Sequence, residues 1–397
     1  MKIFIVHFSH FLLSSGSGVT EKTLAVAQAL RRREGDVQVV NFSSKIAHDG
    51  HDQVTFVHYH MHNKWEVIAH WLETNVSNKD IVWIRYPFAD KHFLQLTQRW
   101  GKQIVLEHNT IETQEVLLLQ KKSFNRLPFQ WRKSYFIYFF QTWILNNTNE
   151  TRYGHQILKN VLGGICVTHE IAQFERYRYN AYDTMVLPNG VEKVLVNDGQ
   201  DRRPLGDINI HQKWVMVIGS LADWHGLDRL EKSLEKATSL GHRSLNIDII
   251  GLQGEPAEKY QGFKKNGVTI QCLGKIQPQE LETKLWEYDL AIGSLALYKI
   301  GIKEACPLKV REYWKAGTPV LLAYRDTACM EHPLLGEFNY SIPNSGSLIK
   351  VKDVFDWVAE RYGDRSNHGR LQQAAKAAIE YDSKAHELMI FLRKLKG

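Results

Sequence analysis

Two glutamates, Glu304 and Glu312, stand in the stretch IKEACPLKVREYWKAGTPVL with seven residues between them. Pro307 suits the first turn of a helix, where its missing N–H is no loss. VREYWKAG reads as that helix, and Gly317 as its stop before the β-rich run TPVLLA. Glu304 then lies in the loop before the helix, while Glu312 is inside it and shares a face with Leu308 and Lys309. The open N-terminus of such a helix attracts phosphate, and Lys309 adds a positive charge. A carboxylate at Glu312 can accept both hydroxyls of a ribose diol, which leaves Glu304 to reach whatever a diphosphate carries.

Two further loops have types suited to an anion. In SSGSGVTEK, Gly16 and Gly18 lead into a helix, and small residues there allow close backbone approach. This is not a dinucleotide fingerprint: Glu21 stands where a third glycine is needed, and the next strand, VQVVNF, ends without the acid that holds a ribose. In IGSLADWHGLDRL, glycines bracket a loop able to wrap a diphosphate, with Ser220 and His225 as hydrogen-bond donors and Trp224 as interdomain packing.

Regular elements must position these loops. Short β-branched runs (KIFIVHF, VQVVNF, QVTFVHY, DIVWIRY, KQIVLEH, GICVTH, TMVLP) alternate with helical patterns such as VTEKTLAVAQALRRR. The scheme repeats with WVMVIGS, LNIDIIGL, VTIQCLG, DLAIGSLAL, TPVLLA and YSIP, after which the chain reads as helical from about Asp353. Two successive arrays imply two α/β domains with largely parallel sheets, facing each other across a cleft, with ligands at the carboxyl ends of the strands. The turn-rich stretch LPNGVEKVLVNDGQDRRPLGDINIHQKW marks the boundary, giving domains over 1–185 and 186–370 and a last helix over 371–397 returning to the first.

A length of 397 residues suits two domains, and 44% apolar with 23% charged residues is an ordinary globular balance. The net charge of +7 is uneven: residues 1–180 carry 21 Lys and Arg against 15 Asp and Glu, the remainder 29 against 28. An anionic acceptor or surface is therefore expected at the first half. The four cysteines fit no metal or disulfide spacing, so a reducing cytoplasm is the expected setting. MKIFIVHFSHFLLSSGSG imitates a leader, but His7, Ser9 and His10 interrupt its apolar run, and it reads as a buried strand with a glycine loop. No run approaches a membrane span.

E-A-C-P-L-K-V-R-E followed by AGTPVLLA resembles the E-x7-E element of retaining glycosyltransferases with the GT-B fold, of the family 4 type. The glycine loop, LPNGV and GSLADWHGLDRL fall in the same order, so the resemblance spans nearly the whole chain. It implies two Rossmann-like domains, the first binding acceptor and the second a nucleoside-diphosphate-sugar, with C-terminal helices crossing back. It implies that Glu312 holds the ribose and that Glu304 lies beside the donor sugar. The family commonly places Arg and Lys where this chain has Ser220 and His225, so Lys309, with Arg85 or Arg311, is expected to compensate.

WIRYP and LEHNT end two strands of the first half, and Arg85 and His108 are the residues expected to touch sugar or acceptor. No D-x-D motif occurs, so no metal is expected, and the nucleotide-sugar is a substrate rather than a cofactor. The basic, aromatic stretch over 120–145 reads either as an interfacial helix on an anionic membrane, where a lipid-linked acceptor would wait, or as a core helix with a solvated basic edge. No nucleic-acid-binding module is present. The leading expectation is a metal-independent retaining transferase of polysaccharide or glycolipid assembly, cytoplasmic or peripheral on the inner membrane face. The alternatives are a silent relative acting as a subunit or glycan-binding scaffold, and a sugar-nucleotide epimerase or phosphorylase.

Overall fold

The computed structural model describes residues 1–8, 18–33, 35–45, 53–60, 62–111, 148–197, 207–219, 222–364 and 366–397. Gly16, Ser220 and the 120–145 segment lie outside these residues. The chain forms two compact units, Met1–Pro188 with Lys384–Gly397, and Asn189–Ser383.

The first unit is built on a seven-stranded sheet of β1 (Lys2–His7), β2 (Asp36–Ser43), β3 (Val54–His58), β4 (Ile81–Arg85), β5 (Ile104–His108), β6 (Gly163–Cys166) and β7 (Thr184–Val186). Its order is β3-β2-β1-β4-β5-β6-β7 and every neighbouring pair is parallel. In β1, β4, β5 and β6, burial on both faces explains why these runs read as nearly continuous apolar stretches. The chain winds outward from β1 to β3 and then crosses to β4, so the switch point lies between β1 and β4. Helices α1 (Gly18–Arg32), α2 (Lys64–Asn75), α3 (Lys91–Trp100), α4 (His155–Asn160) and α5 (His169–Arg178) belong to this unit. Side-chain caps open two of them: Asp90 accepts from Phe93 N at 2.7 Å, and Thr168 from Ile171 N at 3.1 Å.

The second unit repeats the plan around β8 (His211–Val217), β9 (Ser244–Ile250), β10 (Lys264–Lys265), β11 (Val268–Gly274), β12 (Leu290–Ile292), β14 (Val320–Leu322) and β16 (Tyr340–Ser341), in the order β10-β11-β9-β8-β12-β14-β16. All pairs are parallel except β10 with β11. A separate parallel ladder joins β13 (Glu304–Ala305) to β15 (Arg325–Asp326).

Among its helices, α6 (Leu227–Glu235) follows β8, and α7 (Leu308–Lys315) carries Glu312. Pro307 is extended, at φ −70° and ψ 137°, and stands just before α7 rather than in its first turn. Gly317 ends the helix at φ 70°, and a Cβ there would fall 2.9 Å from the Gln372 side chain. Three helices close the chain, α8 (Val351–Tyr362), α9 (Ser366–Ile379) and α10 (Tyr381–Lys396).

Candidate functional site

In the second unit α7 is fastened to the carboxyl end of β8 by two residues one turn apart. Tyr313 Oη accepts from Val217 N at 2.8 Å, and Lys309 Nζ donates to Val217 O at 3.1 Å. The same Nζ lies 3.5 Å from His225 Nδ1, in the 3-10 turn Asp223–His225. Gly226 closes that turn at φ 72°, where a Cβ would meet Leu295 Cβ at 2.8 Å. Lys309 is only partly covered, yet its ammonium is enclosed enough that burial pushes its pKa down to about 7. A cation poised at that value gains a full charge when an anion arrives beside it.

Leu308 and Glu312 are half-buried on α7, and Gly18 is the first residue of α1. Glu304 is not in an open loop: it is 3% exposed, pairs with Arg325 across the β13–β15 ladder, and its Oε1 accepts from Thr327 Oγ1 at 2.8 Å. Arg311 is no reserve clamp for a diphosphate. It is fully buried, with Nη1 donating to Asp326 Oδ2 at 2.8 Å, Nη2 to Asp326 Oδ1, and Nε to Asn189 O at 3.0 Å. Its guanidinium also lies 4.6 Å from the Trp314 ring centre. Trp224 packs against the core of its own unit.

In the first unit, register assembles a row that no single stretch announces. His7 pairs with Asn41, Val6 with Ile84, and Arg85 with Glu107. Asn41, His7, Arg85 and Glu107 therefore stand side by side on one face at the carboxyl ends of β2, β1, β4 and β5, around the switch point. Lys22 reaches from α1 to Glu107 Oε1 and donates to Asn109 Oδ1 at 2.8 Å, while Trp83 Nε1 donates to Glu107 Oε2 at 3.1 Å. Burial works to raise the Glu107 pKa, but the charges of Lys22, then Arg85, overcome it and hold the carboxyl at about 2.

Burial lowers His7 to about 4, so its ring is neutral at pH 7. Thr23 Oγ1 gives its proton to Val19 O at 2.8 Å and stands 3.2 Å from His7 Nε2, which makes Nε2 the donor and Nδ1 the acceptor of the ring. His7 Nδ1 and both amide atoms of Asn41 are buried without a hydrogen-bond partner among the described residues. Arg85 is half-buried, and its guanidinium makes no hydrogen bond among them either.

His108 points the other way. One residue past Glu107, it lies on the opposite sheet face, fully buried, with Nε2 3.1 Å from Tyr182 Oη and Nδ1 3.6 Å from Glu175 Oε1. Arg178 bridges Glu175 and Glu150 in the same core network, at 3.0 and 2.8 Å. The structure thus separates Arg85 from His108, and it adds His7, Lys22, Asn41 and Glu107 to Arg85. Their signal in the sequence is polar residues ending apolar runs, but only strand order turns them into a group.

At the level of sequence, no family model and no curated relative matches the chain. Its structure is similar to an α-glucosyltransferase solved with UDP and a 13-mer DNA containing an HMU base, at 12% identity, 98% of this chain, 99% of the other and a TM-score of 0.60. It is also similar to a glycosyltransferase from Rickettsia africae, at 14% identity, 99% and 98% coverage and a TM-score of 0.59. A third is WaaG, a glycosyltransferase involved in lipopolysaccharide biosynthesis, at 14% identity, 99% and 98% coverage and a TM-score of 0.55. Likeness over whole chains at such low identity establishes the architecture: this is a GT-B fold.

Proposed function

We propose that the chain is a retaining glycosyltransferase of the family 4 type, moving a sugar from a nucleoside-diphosphate-sugar to a glycan or lipid-linked acceptor in polysaccharide or glycolipid assembly. The observation that carries this reading is Lys309, held between the end of β8 and His225 on the helix that also bears Glu312. In this reading the α7 N-terminus and Lys309 receive the diphosphate, Glu312 the ribose and Glu304 the donor sugar. Stabilisation of the leaving diphosphate grows as the glycosidic bond breaks, so it lowers the barrier rather than only tightening binding. Arg85, with Lys22 and Glu107 beside it, serves the acceptor side. The reaction proceeds without metal, and the 120–145 segment docks the cytoplasmic enzyme on the inner membrane face.

A thermal-shift panel of UDP, GDP, ADP, CMP and dTDP without metal tests the donor site. A selective rise with one nucleotide is expected, lost in Glu312→Ala, whereas Glu304→Ala keeps the shift and loses turnover. NMR of the product anomer then tests retention. One observation favours a second reading, a silent scaffold: Arg311 is consumed by Asp326 and does not replace the missing Arg and Lys. No shift with any nucleotide in a folded sample would decide for the scaffold.

A further inference from the structure

Three polar side chains at the switch point of the first sheet have unpaired groups, and they stand on three adjacent strands. Asn41 in β2 is 0% exposed with both amide atoms unpaired, and His7 in β1 is 2% exposed with Nδ1 unpaired, among the described residues. Arg85 in β4 is half-buried and makes no hydrogen bond or close ion pair among them. Register sets His7 beside Asn41 and Val6 beside Ile84, which puts Arg85 on the other side of His7. At ordinary strand spacing the three span about 10 Å, room for one sugar ring with its substituents. Buried orphans of this kind cost stability unless a ligand or ordered water meets them.

The unpaired atoms define what they lack. Asn41 offers one acceptor and two donors, His7 Nδ1 accepts because Nε2 holds the proton, and Arg85 only donates. A hydroxyl that donates to His7 Nδ1 and accepts from Asn41 Nδ2 satisfies the first two, and an anion the third. The charge of that anion follows from Glu107. Its Oε1 accepts from Lys22 Nζ and from Asn109 Nδ2 at 3.0 Å, and its Oε2 from Trp83 Nε1 at 3.1 Å. Glu107 is ionised and cancels Lys22, and His7 is neutral, so Arg85 leaves a single positive charge to answer. One carboxylate balances it, whereas a phosphate dianion would add an excess negative charge beside Glu107.

The loop after Arg85 is held in place. Phe88 sits at φ 71°, a costly conformation for so bulky a residue, and the buried Glu150 pins its neighbours. Glu150 accepts from Ala89 N at 2.6 Å and from Tyr86 Oη at 3.0 Å.

We infer that the acceptor is a hexuronate, an acidic sugar whose carboxylate pairs with Arg85 and whose hydroxyls meet Asn41 and His7. The inference rests on the acceptor-side reading of this row and names the class of sugar it takes.

The test is calorimetric titration of the full chain with the methyl glycosides of glucuronic and galacturonic acid, their neutral twins methyl glucoside and methyl galactoside, and glucose 6-phosphate. One uronide is expected to bind at least about tenfold tighter than its neutral twin, and tighter than glucose 6-phosphate. Arg85→Gln should erase the preference for the uronide over its twin. Asn41→Leu should weaken both, yet leave the urea midpoint unchanged or higher, since it deletes an unpaired buried amide. Uronide binding no tighter than the neutral twin, a preference that survives Arg85→Gln, or an affinity unchanged in Asn41→Leu, as expected if only water fills the row, each overturns the inference. The nucleotide panel on the same preparation separates it from the reading it rests on. A nucleotide shift without uronide preference overturns the hexuronate alone, whereas uronide binding without any nucleotide shift keeps the sugar site and overturns the transfer reaction.

Discussion

At the scale of single residues, two side chains have their pKa values moved down, Lys309 against its charged form and Glu107 in favour of its charged form. Burial lowers Lys309 from 10.5 to about 7. Between those values the unfolded chain binds more protons than the folded one, so stability rises with pH across that window. Lys309→Met should abolish this gain, seen as parallel urea midpoints against pH. An anionic diphosphate reverses the shift, so nucleotide binding near pH 8 should take up a proton and weaken as pH rises. Calorimetry in buffers of different ionisation enthalpy reads that uptake, and none is expected in Lys309→Met. Glu107 is the reverse case, lowered from 4.5 to about 2 by Lys22 and Arg85. Its contribution is present above 4.5 and is lost as pH falls through the folded value. Glu107→Ala strands a buried lysine and should cost about 3–5 kcal/mol by denaturant unfolding, most of it recovered when Lys22→Met is added.

At the scale of elements, the helix α7 shows how one stretch serves two masters. Its Lys309 and Tyr313 hold the end of β8, while Arg311 on another side ties the helix to Asp326 in β15. A guanidinium stacked on Trp314 with every group engaged is a strut. Arg311→Met should therefore lower stability by about 3–5 kcal/mol, because Asp326 is left buried and unpaired. Nucleotide affinity of the folded fraction should stay within about twofold, since the Arg311 nitrogens are engaged by Asn189, Asp326 and Cys306. Replacing Asp326 with Leu at the same time should restore much of the stability. A large loss of nucleotide affinity at full stability would instead return Arg311 to the donor site.

At the scale of the whole molecule, the last helix belongs to both units. α10 begins at Tyr381, and from Lys384 onward it counts with the first unit. There Leu388 and Leu392 are buried, Lys394 Nζ reaches Asp183 at 3.4 Å, and Lys396 Nζ donates to Lys102 O at 2.8 Å. Deleting 384–397 should destabilise the first unit by more than about 3 kcal/mol, given two buried leucines lost. Scanning calorimetry should show one transition moving down while the other keeps its place, the two units having separate cores. Among the described residues no helix is long and apolar enough to cross a membrane.

The sequence by itself determined the two strand–helix arrays, the helix behind Pro307 and its stop at Gly317. Each of these rests on local chemistry, namely apolar periodicity, a proline's fixed φ and a glycine's freedom at positive φ. It also placed Lys309, His225 and Glu312 in a loop or helix that follows a strand, whereas Glu304, read as a loop residue, stands in the short strand β13. What it did not determine was direction. Arg85 and His108 both end apolar strands, and only the pairing of Arg85 with Glu107 shows that His108 faces a closed core. The row from Asn41 to Glu107 likewise needs the strand order, which joins residues from distant parts of the chain. Arg311 read as a spare cation until Asp326 came beside it. Register and burial arise from contacts between distant segments, and the tertiary structure alone decides which polar group meets a partner and which is left for a ligand.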